Sequence, residues 1–394
     1  MDWSFLIKNK DSLHVTTDSR KVTSGSVFVA LKGEHFDGND FVEQARKDGA
    51  EYIISGENAL RDLQDLARAW RRELGLPILG ITGTNGKTTT KELCAAVLST
   101  KYKLYYTQGN LNNQIGVPLT LLNITRAHEM AIVEMGASHP GDIQELVEIA
   151  EPNYGLITNV GRAHLQGFGS FEGVMRTKAE LYDFLRAHGG FCFRNTDNPY
   201  LEQMAGDLKT VPYQTGVMPE GTHLVGNYNA ENVSAAICVG QYFGVSEEAA
   251  LAAIRAYVPS NNRSQLMQTE RNTVVVDAYN ANPTSMTAAI VPFVKLRITN
   301  YELRMPQAYI LGAMRELGDY SHLEHQNIVN MLLERKADKV LLVGEEYKQT
   351  TAPYPIYNNV EELYEALQRE PITGYRILLK GSRSNQLEKL IPLL

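Results

Sequence analysis

Cysteine is scarce in this sequence of 394 residues, which holds only Cys94, Cys192 and Cys238. Three scattered cysteines exclude the disulfide framework of a small secreted protein and the paired ligands of a zinc ribbon. Each of them lies among apolar neighbours, so we expect three inert core residues.

Long apolar runs are also lacking, since none approaches the ~18 residues of a membrane-spanning helix. The segment after Met1 has no extended apolar stretch of the kind found in secretory signals. Basic residues are outnumbered by acidic ones, with 38 Lys and Arg against 45 Asp and Glu. This balance argues against binding to nucleic acid. We therefore expect a soluble cytoplasmic protein, without membrane insertion or a nucleic-acid partner, that holds anionic ligands at local sites.

What the sequence does contain is a phosphate-binding type of turn between residues 77 and 91. An apolar run over residues 78–81 predicts a buried strand, glycines punctuate the turn after it, and the pattern predicts a helix that opens at Thr88. Backbone N–H groups of such a turn, with the helix N-terminus behind them, form a cradle for phosphate oxygens. There Lys87 would place a positive charge on the β- and γ-phosphates, and the Thr88 hydroxyl would bind Mg²⁺.

The match to the long Walker pattern is incomplete. That pattern needs a glycine five residues before Gly86, where Ile81 stands, so only Gly83-x-x-Gly86-Lys87-Thr88 is present. A strand-to-helix turn that merely contains lysine and threonine is the alternative. Because the strand before and the helix after are the context that the motif requires, the sequence predicts a protein that handles a nucleoside triphosphate.

Strand and helix patterns divide the chain into three α/β blocks, expected at residues 1–75, 76–258 and 259–394. The first is small and mixed, and it ends at the breaker Gly75-Leu-Pro77. The second begins with the phosphate turn, and its alternation of strands and helices predicts a mostly parallel sheet. The third has apolar runs that each end in Asp, Gly or Lys, which is typical of a Rossmann-like domain with a ligand crevice at the strand ends.

Three residues of the second block could carry chemistry. Glu134 closes an apolar run one strand away from the phosphate turn, a position that suits Mg²⁺, with a solvated carboxylate as the alternative. His164 lies in a glycine-rich loop, where a histidine is more often structural than a ligand. Lys178, judged from its own neighbours, is a helical lysine on a solvated face.

Two further segments are rich in amides. Asn110, Asn112 and Asn113 could either cap helices and turns or hydrogen-bond a polar substrate. Asp277 directly follows a strand of the third block, so its side chain and those up to Ser285 should project into the crevice. A well-satisfied turn is the alternative there.

Taken together, these segments resemble the Mur ligase family of cell-wall enzymes over nearly the whole chain. The motifs that carry the resemblance are Asp18-Ser-Arg20, Phe28-Val-Ala-Leu-Lys-Gly33, Asp37-Gly38, Gly83-Thr-Asn-Gly-Lys-Thr-Thr89, Gly109-Asn-Leu-Asn-Asn-Gln-Ile-Gly-Val-Pro118, Glu134-Met-Gly-Ala-Ser138, Ala163-His-Leu165, Asn229-Ala-Glu-Asn232, Asp277-Ala-Tyr-Asn-Ala-Asn-Pro283 and Lys380-Gly-Ser-Arg383. An ordered set of this kind is far more specific than the phosphate turn alone. It implies an N-terminal UDP-binding domain, a central P-loop ATPase domain and a C-terminal Rossmann-like domain.

The resemblance also implies a magnesium site, for one or two ions, held by Thr88, Glu134 and His164. It implies that Lys178 matches the position carbamylated in these ligases, as a further metal ligand, and that Lys87, His164 and Lys178 are the catalytic residues. A carbamate is physically reasonable because an ammonium near Mg²⁺ is repelled, whereas a carbamate presents a pair of carboxylate-like oxygens.

Two groups of binding residues follow from the same resemblance. Those expected at ATP are Gly83, Thr84, Asn85, Gly86, Lys87, Thr88, Thr89, Asn229, Asn232, Arg263, Asp277 and Asn282. Those expected to bind substrate include Ser19, Arg20, Lys32 and Asn39, which would line a uridine-nucleotide pocket. The others expected to bind substrate are Asn112, Asn113 and Ser138. One departure is that Arg263 lies in Asn261-Asn-Arg-Ser-Gln265, where the family more commonly has a Gly-Arg or His-Arg pair at the hinge.

The activity implied is the ATP-dependent addition of D-alanyl-D-alanine to UDP-N-acetylmuramoyl-tripeptide, by a monomeric cytoplasmic enzyme of peptidoglycan synthesis. Three alternatives stay open. A sister ligase that adds the third amino acid has a similar N-terminal domain, but its Asp-Asn-Pro-Arg motif is missing from the third block. Folylpolyglutamate synthase shares the ATPase core but has no UDP-binding domain. A P-loop switch without ligase activity would bind nucleotide and need neither substrate.

Overall fold

The structure, a computed structural model, describes residues 2–34, 36–226, 228–259, 263–293 and 305–394. The described strands form three separate sheets, and each sheet lies within one of the three predicted blocks. Helices pack on the sheets throughout, which confirms the predicted α/β class. No helix within the described ranges has the length and apolar character that crossing a bilayer requires.

The N-terminal sheet is small and parallel. Its strands are β1 (Val15–Thr16), β2 (Val27–Val29) and β3 (Tyr52–Ile54), and the helices beside them are α1 (Ser4–Ile7), α2 (Val42–Lys47) and α3 (Ala59–Leu74). Helix α3 is amphipathic, because Leu63, Leu66 and Trp70 recur on one buried face at helical spacing. It ends at Gly75, whose φ of 62° is a left-handed conformation that glycine adopts readily.

The central sheet has its described strands in the order β5-β6-β4-β7-β8-β9, all parallel. The strands are β4 (Ile78–Thr82), β5 (Leu104–Tyr106), β6 (Met130–Glu134), β7 (Tyr154–Ile157), β8 (Phe191–Asn195) and β9 (Thr210–Tyr213). The helices are α4 (Lys87–Leu98), α5 (Gly116–Leu122), α6 (Asp142–Ala150), α7 (Leu165–Phe168), α8 (Phe171–Ala187), α9 (Pro199–Ala205), α10 (Asn229–Tyr242) and α11 (Glu247–Ala256).

The position of β4 explains why the phosphate turn could be found from the sequence. This strand is buried along its whole length between β6 and β7, so it reads as a continuous apolar run. In the register of the sheet Ile81 lies opposite Glu134, and Thr82 lies opposite Ile157. The carboxyl ends of the three strands therefore meet at one edge, directly below the turn.

The C-terminal sheet has its described strands in the order β10-β11-β15-β12-β13-β14, and only the edge strand β10 is antiparallel to its neighbour. The strands are β10 (Gln265–Gln268), β11 (Thr273–Asp277), β12 (Gln307–Gly312), β13 (Lys339–Val343), β14 (Ile356–Tyr357) and β15 (Arg376–Lys380), and the helices are α12 (Pro283–Phe293), α13 (Ser321–Glu334) and α14 (Val360–Arg369). Asp277 and Lys380 end neighbouring strands opposite each other.

Helix α3 joins the N-terminal and central sheets into one packed unit. The fully buried Trp70 belongs to a core cluster that also contains Val117 of α5 and Ile143 of α6. Its indole Nε1 donates a hydrogen bond of 2.9 Å to the carbonyl of Ile124. The neighbouring Arg71 donates to the carbonyl of Ala150 at the end of α6. A large aromatic side chain thus supplies both apolar area and a buried hydrogen bond at this junction.

Replacing Trp70 should therefore destabilise the unit. We expect Trp70→Ala to lower the free energy of unfolding by about 3–5 kcal/mol, because a large cavity remains. Trp70→Phe keeps most of the apolar area but leaves the Ile124 carbonyl without its donor, at a cost of about 1–3 kcal/mol. Urea unfolding followed by circular dichroism measures both, and an unchanged midpoint for Trp70→Ala would contradict this role.

Candidate active site

A cavity of about 700 Å³ lies between the carboxyl edge of the central sheet and the crevice of the C-terminal sheet. Both sheets contribute residues, as expected for polar side chains at the ends of parallel strands. The predicted site residues that line it are Thr84, Asn85, Gly86, Lys87, Thr88, Thr89, Asn112, Asn113, Glu134, Ser138, His164, Asn229, Asn232, Arg263 and Asp277.

The phosphate turn is held in its conformation by close packing around two glycines. Gly83 and Gly86 have φ of 141° and 78°, which is a left-handed region that side chains with a Cβ rarely adopt. A Cβ on Gly86 would lie 2.4 Å from Asn232 Oδ1, so the turn also has no room for one. Helix α4 begins directly after Gly86, with its N-terminus at the cavity. Such a turn presents backbone N–H groups to an anion.

Lys87 folds back over this turn. Its Nζ donates to the carbonyl of Gly83 at 2.8 Å and to that of Thr84 at 3.1 Å. Burial lowers its pKa to about 8, an effect that the nearby Glu134 partly opposes and Arg263 reinforces. The ammonium therefore lies where the cradle would receive a phosphate.

Glu134 lies buried at the end of β6, with 1% of its surface exposed. Its Oε1 accepts hydrogen bonds from the Thr88 hydroxyl at 3.1 Å and from the Asn112 amide at 2.8 Å. Its Oε2 accepts no hydrogen bond from any residue that the structure describes. A carboxylate and a hydroxyl beside a phosphate cradle are oxygen donors that suit Mg²⁺, which takes few protein ligands and completes its shell with water and phosphate.

Among the described residues, no group of three or more His, Cys, Asp or Glu side chains could hold a metal ion.

Lys178 differs from the expectation based on its own neighbours. That interpretation placed it on a solvated face of a helix, but the side chain is 2% exposed in α8. No hydrogen bond or ion pair of its Nζ occurs within the described residues, and the nitrogen lies 5.4 Å from the ring centroid of Phe168. Burial lowers its pKa well below the ordinary value, and the charge of Lys87 acts in the same direction. The packing of α7 over α8 is a tertiary feature that helical spacing does not reveal.

His164 precedes α7 in a left-handed conformation, with φ of 49°. Its Nδ1 contacts the carboxylate of Glu316, which belongs to the C-terminal domain. Burial lowers the pKa of the imidazole, while the Glu316 carboxylate opposes that shift. Unlike His164, Lys178 is not among the described residues that line the cavity.

The far side of the cavity comes from α10 and the hinge. Asn232 accepts from the Thr90 hydroxyl at 3.0 Å, which ties α10 to α4, and it donates to Asn229 within α10 at 2.9 Å. The guanidinium of Arg263 stacks 3.7 Å from the ring centroid of Tyr279. Asn261 and Asn262, which precede it in the hinge motif, lie outside the described residues. Asp277 pairs with Lys380 at 2.6 Å.

Asn282 does not line the cavity but contacts the phosphate turn from the C-terminal domain. Its amide nitrogen donates to Asn85 Oδ1 at 2.8 Å, and Asn85 donates back at 3.4 Å. Nearby, the backbone N–H of Arg162 donates to the Thr284 hydroxyl at 3.0 Å. The two domains therefore meet through directional bonds at the turn itself.

The residues predicted for a uridine-nucleotide pocket lie elsewhere, on loops of the N-terminal sheet. Arg20 is highly exposed and pairs with Asp18, whose pKa its guanidinium lowers to about 2. Lys32 and Asn39 both contact Asp37, at 3.8 Å and 2.6 Å. Ser19 begins the short turn after Asp18. None of these lines the cavity in the described part of the chain.

The amide loop fulfils the capping role, and its role in binding a polar substrate stays a prediction. The carboxamide oxygen of Asn113 accepts from the backbone N–H of Gly116 at 2.9 Å, at the start of α5. Asn112 instead reaches Glu134, and Ser138 begins the loop capped by Asp142, whose carboxylate accepts from its N–H at 2.8 Å. One residue type in one loop thus serves structure and site together.

Three partners at this site were not among the predicted site residues. Lys380 was detectable, since it ends an apolar run as Asp277 does and faces it in register. Asn159, whose Oδ1 accepts from the Asn85 N–H at 3.0 Å, follows the β7 run. Glu316 lies in a loop of the C-terminal domain and has no local signal.

Family profiles match each of the three domains. The profile of the Mur ligase family catalytic domain matches residues 13–84, that of the Mur ligase middle domain residues 81–222, and that of the Mur ligase glutamate ligase domain residues 262–383. The UDP-N-acetylmuramoyl-tripeptide–D-alanyl-D-alanine ligase of Bacillus subtilis (strain 168) is 34% identical, over 96% of this chain and 92% of that relative. The chain belongs to the Mur ligase family. The enzyme of the same name from Escherichia coli (strain K12) is 31% identical over the same shares of the two chains.

Solved Mur ligase structures agree in fold as well as in sequence. MurF from Thermotoga maritima, solved in complex with ADP, superposes with a TM-score of 0.84 and 26% identity, over 98% of both chains. MurF from Acinetobacter baumannii gives a TM-score of 0.84 and 28% identity, over 96% of this chain and 92% of that one. The three-domain Mur ligase architecture predicted from the motifs is confirmed.

Adding a methyl group at Gly86 should impair nucleotide binding. We expect Gly86→Ala to weaken binding of a non-hydrolysable ATP analogue by about tenfold or more, because the new methyl is both strained and in contact with Asn232. Gly189→Ala is the control, since Gly189 has a similar φ of 73° with no atom within 4 Å of its Cβ position. Isothermal titration calorimetry measures both affinities, and equal binding by the two variants would contradict the cradle.

Proposed function

We propose that this Mur ligase joins D-alanyl-D-alanine to UDP-N-acetylmuramoyl-tripeptide at the expense of ATP, in the cytoplasmic stage of peptidoglycan synthesis. The observation that carries the proposal is the phosphate turn with Thr88 and Glu134 beneath it, open to the crevice of the C-terminal domain. The relatives from Bacillus subtilis and Escherichia coli, which are named for this activity, match nearly the whole chain. This similarity favours the activity over that of the sister ligase and over a nucleotide switch.

ATP would lie in the cavity with its phosphates on the turn from Gly83 to Thr89. Lys87 would turn from the loop carbonyls to the transferred phosphoryl group, and Thr88 and Glu134 would hold Mg²⁺ with His164 nearby. Mg²⁺ would neutralise charge that develops on the phosphoryl oxygens. Asn229, Asn232, Asp277 and Arg263 would surround the rest of the nucleotide, as their place in the cavity wall supports.

The chemistry proceeds in two displacements. An oxygen of the tripeptide carboxylate attacks the γ-phosphorus of ATP, the bond from phosphorus to the bridging oxygen breaks, and ADP leaves with that electron pair. The amine of D-alanyl-D-alanine then attacks the acyl carbon, the bond to the phosphate oxygen breaks, and the nitrogen loses a proton. The residues act by positioning the reactants and stabilising charge, in a seam that excludes water from the acyl phosphate.

Lys178 fits the role of a carbamylated lysine. A neutral amine adds to CO₂ to form a carbamate with release of a proton, so a lysine with a lowered pKa is well suited to the reaction. Its burial makes the charged ammonium costly, and the carboxylates of Asp142 and Glu180 offset that cost only in part.

Three further parts of the proposal concern the whole molecule. We place domain boundaries near residues 75 and 258, and we expect a monomer that closes around its substrates. The bonds from Asn282 to Asn85 and from Arg162 to Thr284 are contacts that closure would form or break. The uridine nucleotide would bind at Ser19, Arg20, Lys32 and Asn39, and its peptide end would reach Asn112, Asn113 and Ser138.

The direct test of the function is product formation. The protein is incubated with ATP, Mg²⁺, UDP-N-acetylmuramoyl-tripeptide and D-alanyl-D-alanine, and mass spectrometry should detect the pentapeptide nucleotide with one ADP per product. Omitting either substrate should abolish ADP release. Turnover with lysine or diaminopimelate on the dipeptide nucleotide would instead indicate the sister ligase, and ADP release without either substrate would indicate a switch.

Removing Lys178 tests the carbamate separately. Lys178→Ala should reduce turnover by orders of magnitude, and short carboxylates such as acetate should restore part of it by filling the vacated position. Protein equilibrated with ¹³C-bicarbonate should show a carbamate carbon signal by NMR that Lys178→Ala lacks and that the exposed-lysine control Lys47→Ala retains. A fully active Lys178→Ala, indifferent to bicarbonate and acetate, would show that the idea is wrong.

A further inference from the structure

Lys91 is a buried cation to which the proposed chemistry assigns no role. It lies on α4 three residues after Thr88, so the two side chains project from the same face of the helix. Its side chain is 0% exposed, although lysine is among the residues least often found fully buried. A charge in such a position requires compensation by specific partners.

The ammonium of Lys91 has a defined set of partners. Its Nζ donates to the carbonyl of Thr107 at 2.6 Å and pairs with Glu92 Oε1 at 2.9 Å. It also lies 3.9 Å from Glu134 Oε2, the oxygen that accepts no hydrogen bond within the described residues. Lys91 and Thr88 therefore approach the same carboxylate from two sides, one at each oxygen.

Thr107 connects Lys91 to the backbone of Glu134 as well. The Thr107 hydroxyl accepts from the Glu134 N–H at 3.0 Å, and its own N–H donates to the Ile132 carbonyl at 3.0 Å. Lys91 thus fixes the segment after β5, and that segment fixes the end of β6. The side chain and the backbone of Glu134 are both constrained from behind the cavity.

We propose that Lys91 is a positioning residue for Glu134, orienting the carboxylate so that Oε1 stays on the side of Thr88 and the phosphate turn. Its charge attracts Oε2 and compensates a buried carboxylate that has only neutral donors on its other oxygen. The role in metal binding rests on the function proposed above, whereas the coupling between the two side chains does not. Groups that orient a metal ligand from outside typically change metal affinity by about 10–100-fold when they are removed.

A double-mutant cycle on stability tests the coupling without any ligand. Lys91→Met should lower the urea midpoint of unfolding, because the buried Glu134 loses the cation beside Oε2 and keeps only the more distant Lys87. In the Glu134→Gln background the same change should lower the midpoint by less than half as much, since a neutral amide needs no cation. An undiminished loss in that background would overturn the proposal, because Lys91 would then stabilise only Thr107 and Glu92. If Lys91→Met alone does not fold, folding of the double variant supports the coupling and failure of both overturns it.

Metal dependence tests the consequence for the site. Binding of a non-hydrolysable ATP analogue is titrated against Mg²⁺, and Lys91→Met should need about tenfold more Mg²⁺ for half-maximal binding. Lys91→Arg, which keeps the charge, should lie nearer to the unsubstituted protein. Glu92→Gln is the matched control, since it removes the other carboxylate partner of Lys91 and should leave the Mg²⁺ dependence unchanged.

The outcomes separate the two proposals. Equal Mg²⁺ dependence in Lys91→Met and the unsubstituted protein would overturn the positioning role. Analogue binding that ignores Mg²⁺ in every variant would instead contradict the proposed function, and the stability cycle would still decide whether Lys91 acts on Glu134.

Discussion

The structure depends on a hydrogen bond between the Thr88 hydroxyl and the buried carboxylate of Glu134. It joins the start of α4 to the end of β6, and so it sets the phosphate turn above a buried negative charge at the edge of the cavity. Such a carboxylate would be costly in isolation. Asn112 and Lys91 reduce that cost from two other directions, and each of them ties a further loop to the same point.

The seam between domains extends this arrangement. The phosphate turn also contacts the C-terminal domain, through the reciprocal amides of Asn85 and Asn282. The loop after β7 meets the same domain where His164 contacts Glu316 and Arg162 pairs with Glu324 at 3.0 Å. A change in the relative position of the domains would therefore act directly on the residues of the turn and of the loop after β7. Chemistry that must keep water from an acyl phosphate favours such a coupling.

Much of this was predictable from the sequence, for identifiable physical reasons. Strands such as β4 and β11 are buried on both faces, so they appear as apolar runs, and Glu134 and Asp277 stand out because they end such runs. The edge strand β9 is half-buried and contains Pro212, and its residues gave no comparable pattern. The burial of Lys178 and the network around Lys91 come from packing between elements distant in sequence, which local spacing does not encode. The role of Glu316 is hidden for the same reason.

The most direct measurement is the position of the metal in a crystal grown with Mn²⁺ and a non-hydrolysable ATP analogue. Anomalous diffraction locates Mn²⁺ independently of the protein atoms. The account predicts a peak within coordinating distance of Glu134 and the Thr88 hydroxyl, with the analogue's phosphates on the turn from Gly83 to Thr89. A peak in any other part of the molecule, or phosphates bound away from this turn, would contradict it.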